Sequence, residues 1–172
     1  MGDQVCLEWG AGEDLVVAEK GDTISFPHVD SCLAIVFVRL DPYRAAGGHA
    51  AVTTKSDKFG FKESLAEMIG RLKAQFTTGG APNLALFVGG IGTSDDDWPV
   101  NGMLKDEAEV FKTIQHLSFN QRQSVDVLYA TKDNTVTITE WKQGGGGKAL
   151  VTAQPIFTAP RKSHSGGGCV IV

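Results

Sequence analysis

Six consecutive apolar residues, Leu33-Ala34-Ile35-Val36-Phe37-Val38, lie within the segment Cys32 to Leu40, between the polar turn Val29-Asp30-Ser31 and the breaker Asp41-Pro42. An apolar run without alternation has no face to give to water, so as a strand it needs cover on both sides. The rest of the chain must supply that cover. Phe61 to Thr77 offers one piece: Leu65, Met68, Ile69, Leu72 and Phe76 recur at helical spacing, charges fill the other face, and Gly79-Gly80 stands as a stop.

The remaining segments read mostly as strands. Leu15 to Ala18 and Thr23 to Phe26 flank Glu19-Lys20-Gly21-Asp22, a pattern that predicts a hairpin. After Asp41-Pro42, Tyr43 to Gly48 reads as a loop and Gly48 to Val52 as a return strand. Leu84 to Val88 is a short buried strand followed by a polar, Gly-rich segment, Gly89 to Asn101. Val110, Phe111, Ile114 and Leu117 predict a second helix over Leu104 to Leu117. Ser124 to Ala130, Thr135 to Trp141 and Lys148 to Thr152 are three closing strands; in the middle one Val136 and Ile138 alternate with threonines, and Gly144 to Gly147 turns between the last two. The order strands, helix, strand, helix, strands predicts a mixed α/β fold, with two main helices against mixed or antiparallel sheets. It forms a single domain over 1–158 with a flexible Gly/Ser-rich tail over 159–172.

Composition narrows the function classes. The 42% apolar content of the 172 residues suffices for an ordinary core, and a formal charge of −4 without a basic block speaks against nucleic acid as partner. Cys6, Cys32 and Cys169 form neither a disulfide framework nor a metal knuckle. Met1 to Glu13 lacks the pattern of a secretory signal, and no stretch reaches the roughly 18 apolar residues of a membrane span. A cytoplasmic protein with no cofactor and no metal is expected.

Cys32 opens the buried strand just after a polar turn, where a sulfur passes from surface to core, and His49 follows Gly47-Gly48. A thiol and an imidazole in contact make a thiolate nucleophile, although a Cys opening an apolar strand is also an ordinary core residue. Register as read from the sequence does not place Cys32 beside His49. His28, four residues before Cys32, is a rival partner for the thiol, more simply read as a surface loop residue; His116 and His164 read as solvated. Gly144 to Lys148 departs from a phosphate loop, Gly89-Gly90-Ile91-Gly92 from a dinucleotide fingerprint, and Asp95-Asp96-Asp97 from a calcium loop. Cys169-Val170-Ile171-Val172 has a prenylation-like form, the one route by which a membrane becomes a partner.

Thr23-Ile24-Ser25-Phe26, Asp30-Ser31-Cys32-Leu33-Ala34-Ile35, Asp41-Pro42, Gly47-Gly48-His49-Ala50 and Val88-Gly89-Gly90, together with Glu13 and the turn at Glu19-Lys20-Gly21, resemble the chemoreceptor glutamine deamidase family CheD. The resemblance extends from about Gly12 to Leu150, and its His lies seventeen residues beyond its Cys, as 49 − 32 does here. It implies an α/β sandwich shared with cytotoxic necrotizing factor toxins, and a protein-glutamine deamidase acting through a thioester. Cys32 would be the nucleophile, His49 the general base, and Ser25 the hydroxyl that holds the ring; Ser31 and Gly48 would lie at the oxyanion and substrate site. Partners would be a Gln-bearing protein substrate, such as a chemoreceptor, and a candidate regulatory protein. Ser25 stands seven residues before Cys32 where the family usually has six, and Pro27, His28 and Asp30 replace customary glycines. Two further readings are a non-catalytic interaction module on the same fold and a Cys-His protease or transglutaminase-like effector.

Overall fold

A computed structural model describes residues 2–7, 14–30, 32–51, 61–90, 113–119, 124–141 and 147–156. Its elements are β1 (Asp3–Val5), β2 (Leu15–Ala18), β3 (Thr23–Val29), β4 (Cys32–Leu40), β5 (Tyr43–Ala51), α1 (Phe61–Lys73), a 3-10 turn (Ala74–Phe76), β6 (Leu84–Gly90), β7 (Thr113–Phe119), β8 (Val125–Ala130), β9 (Thr135–Trp141) and β10 (Lys148–Pro155). One sheet has the order β1-β3-β8-β9-β10 and the other β2-β5-β4-β6-β7. The coarse expectation of a mixed α/β fold holds, with sheet predominating and one α-helix among the described residues. That helix is not long and apolar enough to cross a membrane.

The unbroken apolar run becomes β4, the central strand of the second sheet, paired antiparallel to both β5 and β6. Leu33, Ile35 and Phe37 pack with Leu65, Met68, Ile69 and Leu72 of α1. Ala34, Val36 and Val38 pack instead with Ile24, Phe26, Val127, Tyr129 and Val136 of the other sheet. Strand alternation therefore gives three layers, helix on sheet on sheet, and β4 is covered on both faces as its composition requires. In β9, Val136 and Ile138 face the inter-sheet core and the threonines alternate away from it.

Three expectations are corrected. Leu15–Ala18 and Thr23–Val29 do not form a hairpin: β2 pairs with β5 in one sheet and β3 with β1 and β8 in the other. The turn exists, with Asp22 N–H donating to the Glu19 carbonyl at 3.1 Å and Gly21 at φ 102°. It carries the chain across the core, so that Ala18 and Ile24 both lie between the sheets. Tyr43 to Gly48 is not a loop; a two-residue turn at Asp41-Pro42 sends β5 straight back, with Leu40 opposite Tyr43. Finally, Thr113–Phe119 is a strand parallel to β6, with His116 opposite Phe87, rather than the end of a second helix. Apolar residues three and four apart fit either element, and pairing with a distant strand decided between them.

Several expected features lie outside the described residues: Ser31, the segment 91–112, Asp95 to Asp97, His164, and the tail 159–172 with Cys169. Before that tail, β10 continues to Pro155, and Ile156 is buried with its N–H donating to the Asn134 carbonyl at 2.8 Å.

Candidate functional site

The tight β4–β5 hairpin settles the register that sequence reading left open. Cys32 lies opposite Ala51 and Ala34 opposite His49. Directly opposed residues share a face, and so do residues two apart on one strand. Cys32 and His49 are therefore diagonal neighbours on the inter-sheet face of the second sheet. Such diagonals have Cα atoms roughly 7–8 Å apart in sheets generally, within reach of an aromatic or long side chain. Both are deep: Cys32 is 1% exposed and His49 0%. The Phe26 ring and the imidazole meet in a T-shaped arrangement, with centroids 6.1 Å apart and planes at 90°.

The Gly-Gly pair before His49 is explained by packing on two sides. A side chain at Gly47 would meet Ile24 and Phe26 of the facing sheet, while one at Gly48 would meet Met68 and Leu72 of α1. Gly48 is also paired through its backbone register with Leu15 on one side and Ile35 on the other. The space beside its Cα on that face belongs to the helix.

Ser25 is not brought to the histidine. It alternates with the buried Ile24 and Phe26, so its hydroxyl lies on the outer face of the first sheet while Phe26 takes the place against the ring. His28, at φ 55°, stacks on Trp141 at 4.8 Å between centroids, and its backbone N–H donates to Asp126 at 3.0 Å. Its ring is thus engaged on Trp141.

Asp14, Cys6 and Arg71, none of them marked as site residues by the sequence, form a chain of contacts leading away from the His49 backbone. The Asp14 carbonyl accepts the His49 N–H at 2.9 Å and the Cys6 thiol at 3.1 Å. The Asp14 carboxylate, only 5% exposed as a residue, takes two hydrogen bonds from Arg71 of α1, at 2.7 and 2.9 Å. Those Arg71 bonds hold the Asp14 carboxyl below the usual carboxylate range against the opposing effect of burial, with positive charge on Arg71 and His49 adding to the effect. Burial, and secondarily the Asp14 charge, pushes the Cys6 thiol up to about 12. Cys6 is thereby kept as a protonated core thiol at neutral pH. Arg71 lay on the charged face of a predicted helix, 57 positions from Asp14, and no local pattern links the two.

Among the described residues no three His, Cys, Asp or Glu side chains cluster closely enough to hold a metal ion. No protein-family model matches the chain, and no curated protein matches it either.

Proposed function

We propose that the chain is a cytoplasmic protein-glutamine deamidase with Cys32 as nucleophile and His49 as general base. The observation that supports this most is the register of β4 against β5, which gives a sulfur and an imidazole one face and one diagonal. In the reaction, His49 takes the thiol proton and the thiolate attacks the side-chain amide carbon. The tetrahedral adduct collapses as the imidazolium protonates the leaving nitrogen, releasing ammonia and leaving a thioester. Water, deprotonated by His49, then cleaves the C–S bond to give glutamate and the restored thiol. The protein substrate is a Gln-bearing protein of the chemoreceptor kind implied by the resemblance.

The test is ammonia release and intact mass of glutamine-bearing proteins, chemoreceptor cytoplasmic domains first. Deamidation replaces an NH2 by an OH, raises the mass by about one dalton and leaves the chain uncut. The expected result is release by the wild type and none by Cys32→Ala; equal release by both removes Cys32 from the mechanism.

Burial favours a second reading, a non-catalytic module in which Cys32 is core packing. At 1% exposure the sulfur meets a substrate only after neighbouring chain moves aside. Alkylation separates the two: an activated thiol reacts near neutral pH, and a core thiol waits for unfolding.

A further inference from the structure

The groups around His49 include one acidic side chain for which the proposed chemistry has no use. Asp14 is buried, yet it is tied in three directions: its carbonyl to the His49 backbone, the same carbonyl to the Cys6 thiol, and its carboxylate to Arg71. Burying a carboxylate is costly unless it is paired, and here the partner comes from α1 on the far side of the sheet. The ion pair thus joins helix to strand edge at the point where the backbone of His49 is held. Leu15 opposite Gly48 fixes the same junction one residue on.

We propose that Asp14 is a positioning residue for His49, its carbonyl fixing the backbone that carries the imidazole and its Arg71-clamped carboxylate supplying the negative charge in the ring's surroundings. The role of His49 as base rests on the reading above; the placement of Asp14 around it does not. The groups nearest this junction are Cys32 from β4, Cys6 after β1, Phe26 from β3 and, through Asp14, Arg71 from α1; Glu67, exposed on α1, acts on Arg71. Cys6 is protonated at neutral pH, so Asp14 and Arg71 carry the competing charges nearest the junction. A carboxylate favours the imidazolium and a guanidinium disfavours it, and the mutual Coulombic effect of Asp14 and His49 runs in that sense.

The experiment is an NMR titration of the His49 ring in the full chain, assigned by loss of its signal in His49→Gln. Asp14→Asn keeps the carbonyl and removes the charge; Arg71→Gln removes the opposing charge. The expected result is that the ring titrates about half a unit or more lower in Asp14→Asn and higher in Arg71→Gln, with Asp14→Glu close to wild type. A merely structural clamp would move both variants the same way, because each breaks the same ion pair. Shifts of the same sign, no shift, or a ring that stays in one protonation state throughout would overturn the proposal. Should Asp14→Asn fail to fold, the sign of the Arg71→Gln shift decides alone. Because the readout is protonation and not turnover, the titration can fail while Cys32 remains catalytic, and can succeed while Cys32→Ala leaves ammonia release unchanged.

Discussion

Adding one methyl group at either glycine before His49 tests the three-layer packing from both sides. At Gly47 the new Cβ would fall 2.7 Å from Ile24 Cγ2 and 2.9 Å from Phe26 Cζ; at Gly48 it would fall 2.5 Å from Met68 Sδ, 3.0 Å from Met68 Cγ and 3.1 Å from Leu72 Cδ1. Comfortable carbon contacts lie at about 3.5–4.0 Å, so both sites are overpacked by roughly an ångström. The neighbours differ in how they can yield. Ile24 is β-branched and stiff, and the Phe26 ring is lodged against His49. Met68 is unbranched with three rotatable bonds and can swing its thioether aside. Overpacking costs about 1–3 kcal/mol, and replacing glycine in a strand returns about 0.5–1. Gly47→Ala is therefore expected to destabilise by about 2 kcal/mol, and Gly48→Ala by less than about 1. Urea unfolding measures this directly as a drop in midpoint at unchanged slope. In thermal unfolding the Gly47 variant should melt about 4–8 °C lower, at about 2–4 °C per kcal/mol for a chain this size. A Gly48→Ala cost equal to or larger than that of Gly47→Ala would refute the argument from side-chain stiffness.

Arg39→Met keeps the stem over Phe76 but strips the donors from the Pro42, Thr78 and Gly80 carbonyls; a loss of about 1–3 kcal/mol in urea unfolding is expected. Tyr129→Phe loses the 2.7 Å bond to Asn134 Oδ1 and should cost about 1 kcal/mol, while Asn134→Ala should cost more, since Asn134 also accepts from Tyr43 and sits at φ 55°. Cys6 links stability to alkaline pH. Its folded pKa of about 12 lies above the ordinary value of 9.0, so its contribution is fully present below about pH 9 and is lost as pH rises toward 12. Cys6→Ala should flatten the decline of stability with pH in that window by up to about 1.4 kcal/mol per pH unit, read from unfolding at several alkaline pH values.

What the sequence made legible was whatever depends on neighbours along the chain. The run Leu33 to Val38 required cover on two faces and has it; the stripe from Leu65 to Phe76 gave the helix; the alternating threonines of β9 gave its two faces. Pairings between distant segments were not legible. The turn at Glu19–Asp22 signals a reversal but not whether the chain stays in its sheet, and Ile114 and Leu117 suited helix and strand alike until β6 supplied a partner. The site divides the same way. Local pattern singles out Cys32 and His49, but their shared face depends on a two-residue turn where the sequence suggests a longer loop. Ser25 was assigned by resemblance and lies on the wrong face for a contact with the ring, because the alternation of β3 gives that place to Phe26. Asp14 and Arg71 had no sequence signal at all.

The most direct test of the Cys32–His49 couple is the pH profile of Cys32 alkylation, followed by mass mapping in the wild type and in His49→Gln. An imidazole that takes the thiol proton makes the sulfur reactive well below the pH at which an ordinary thiol ionises. The expected result is a Cys32 rate that is high at pH 7 and falls at least about tenfold in His49→Gln. A Cys32 that reacts no faster than the protein unfolds, at the same rate with and without His49, would contradict it.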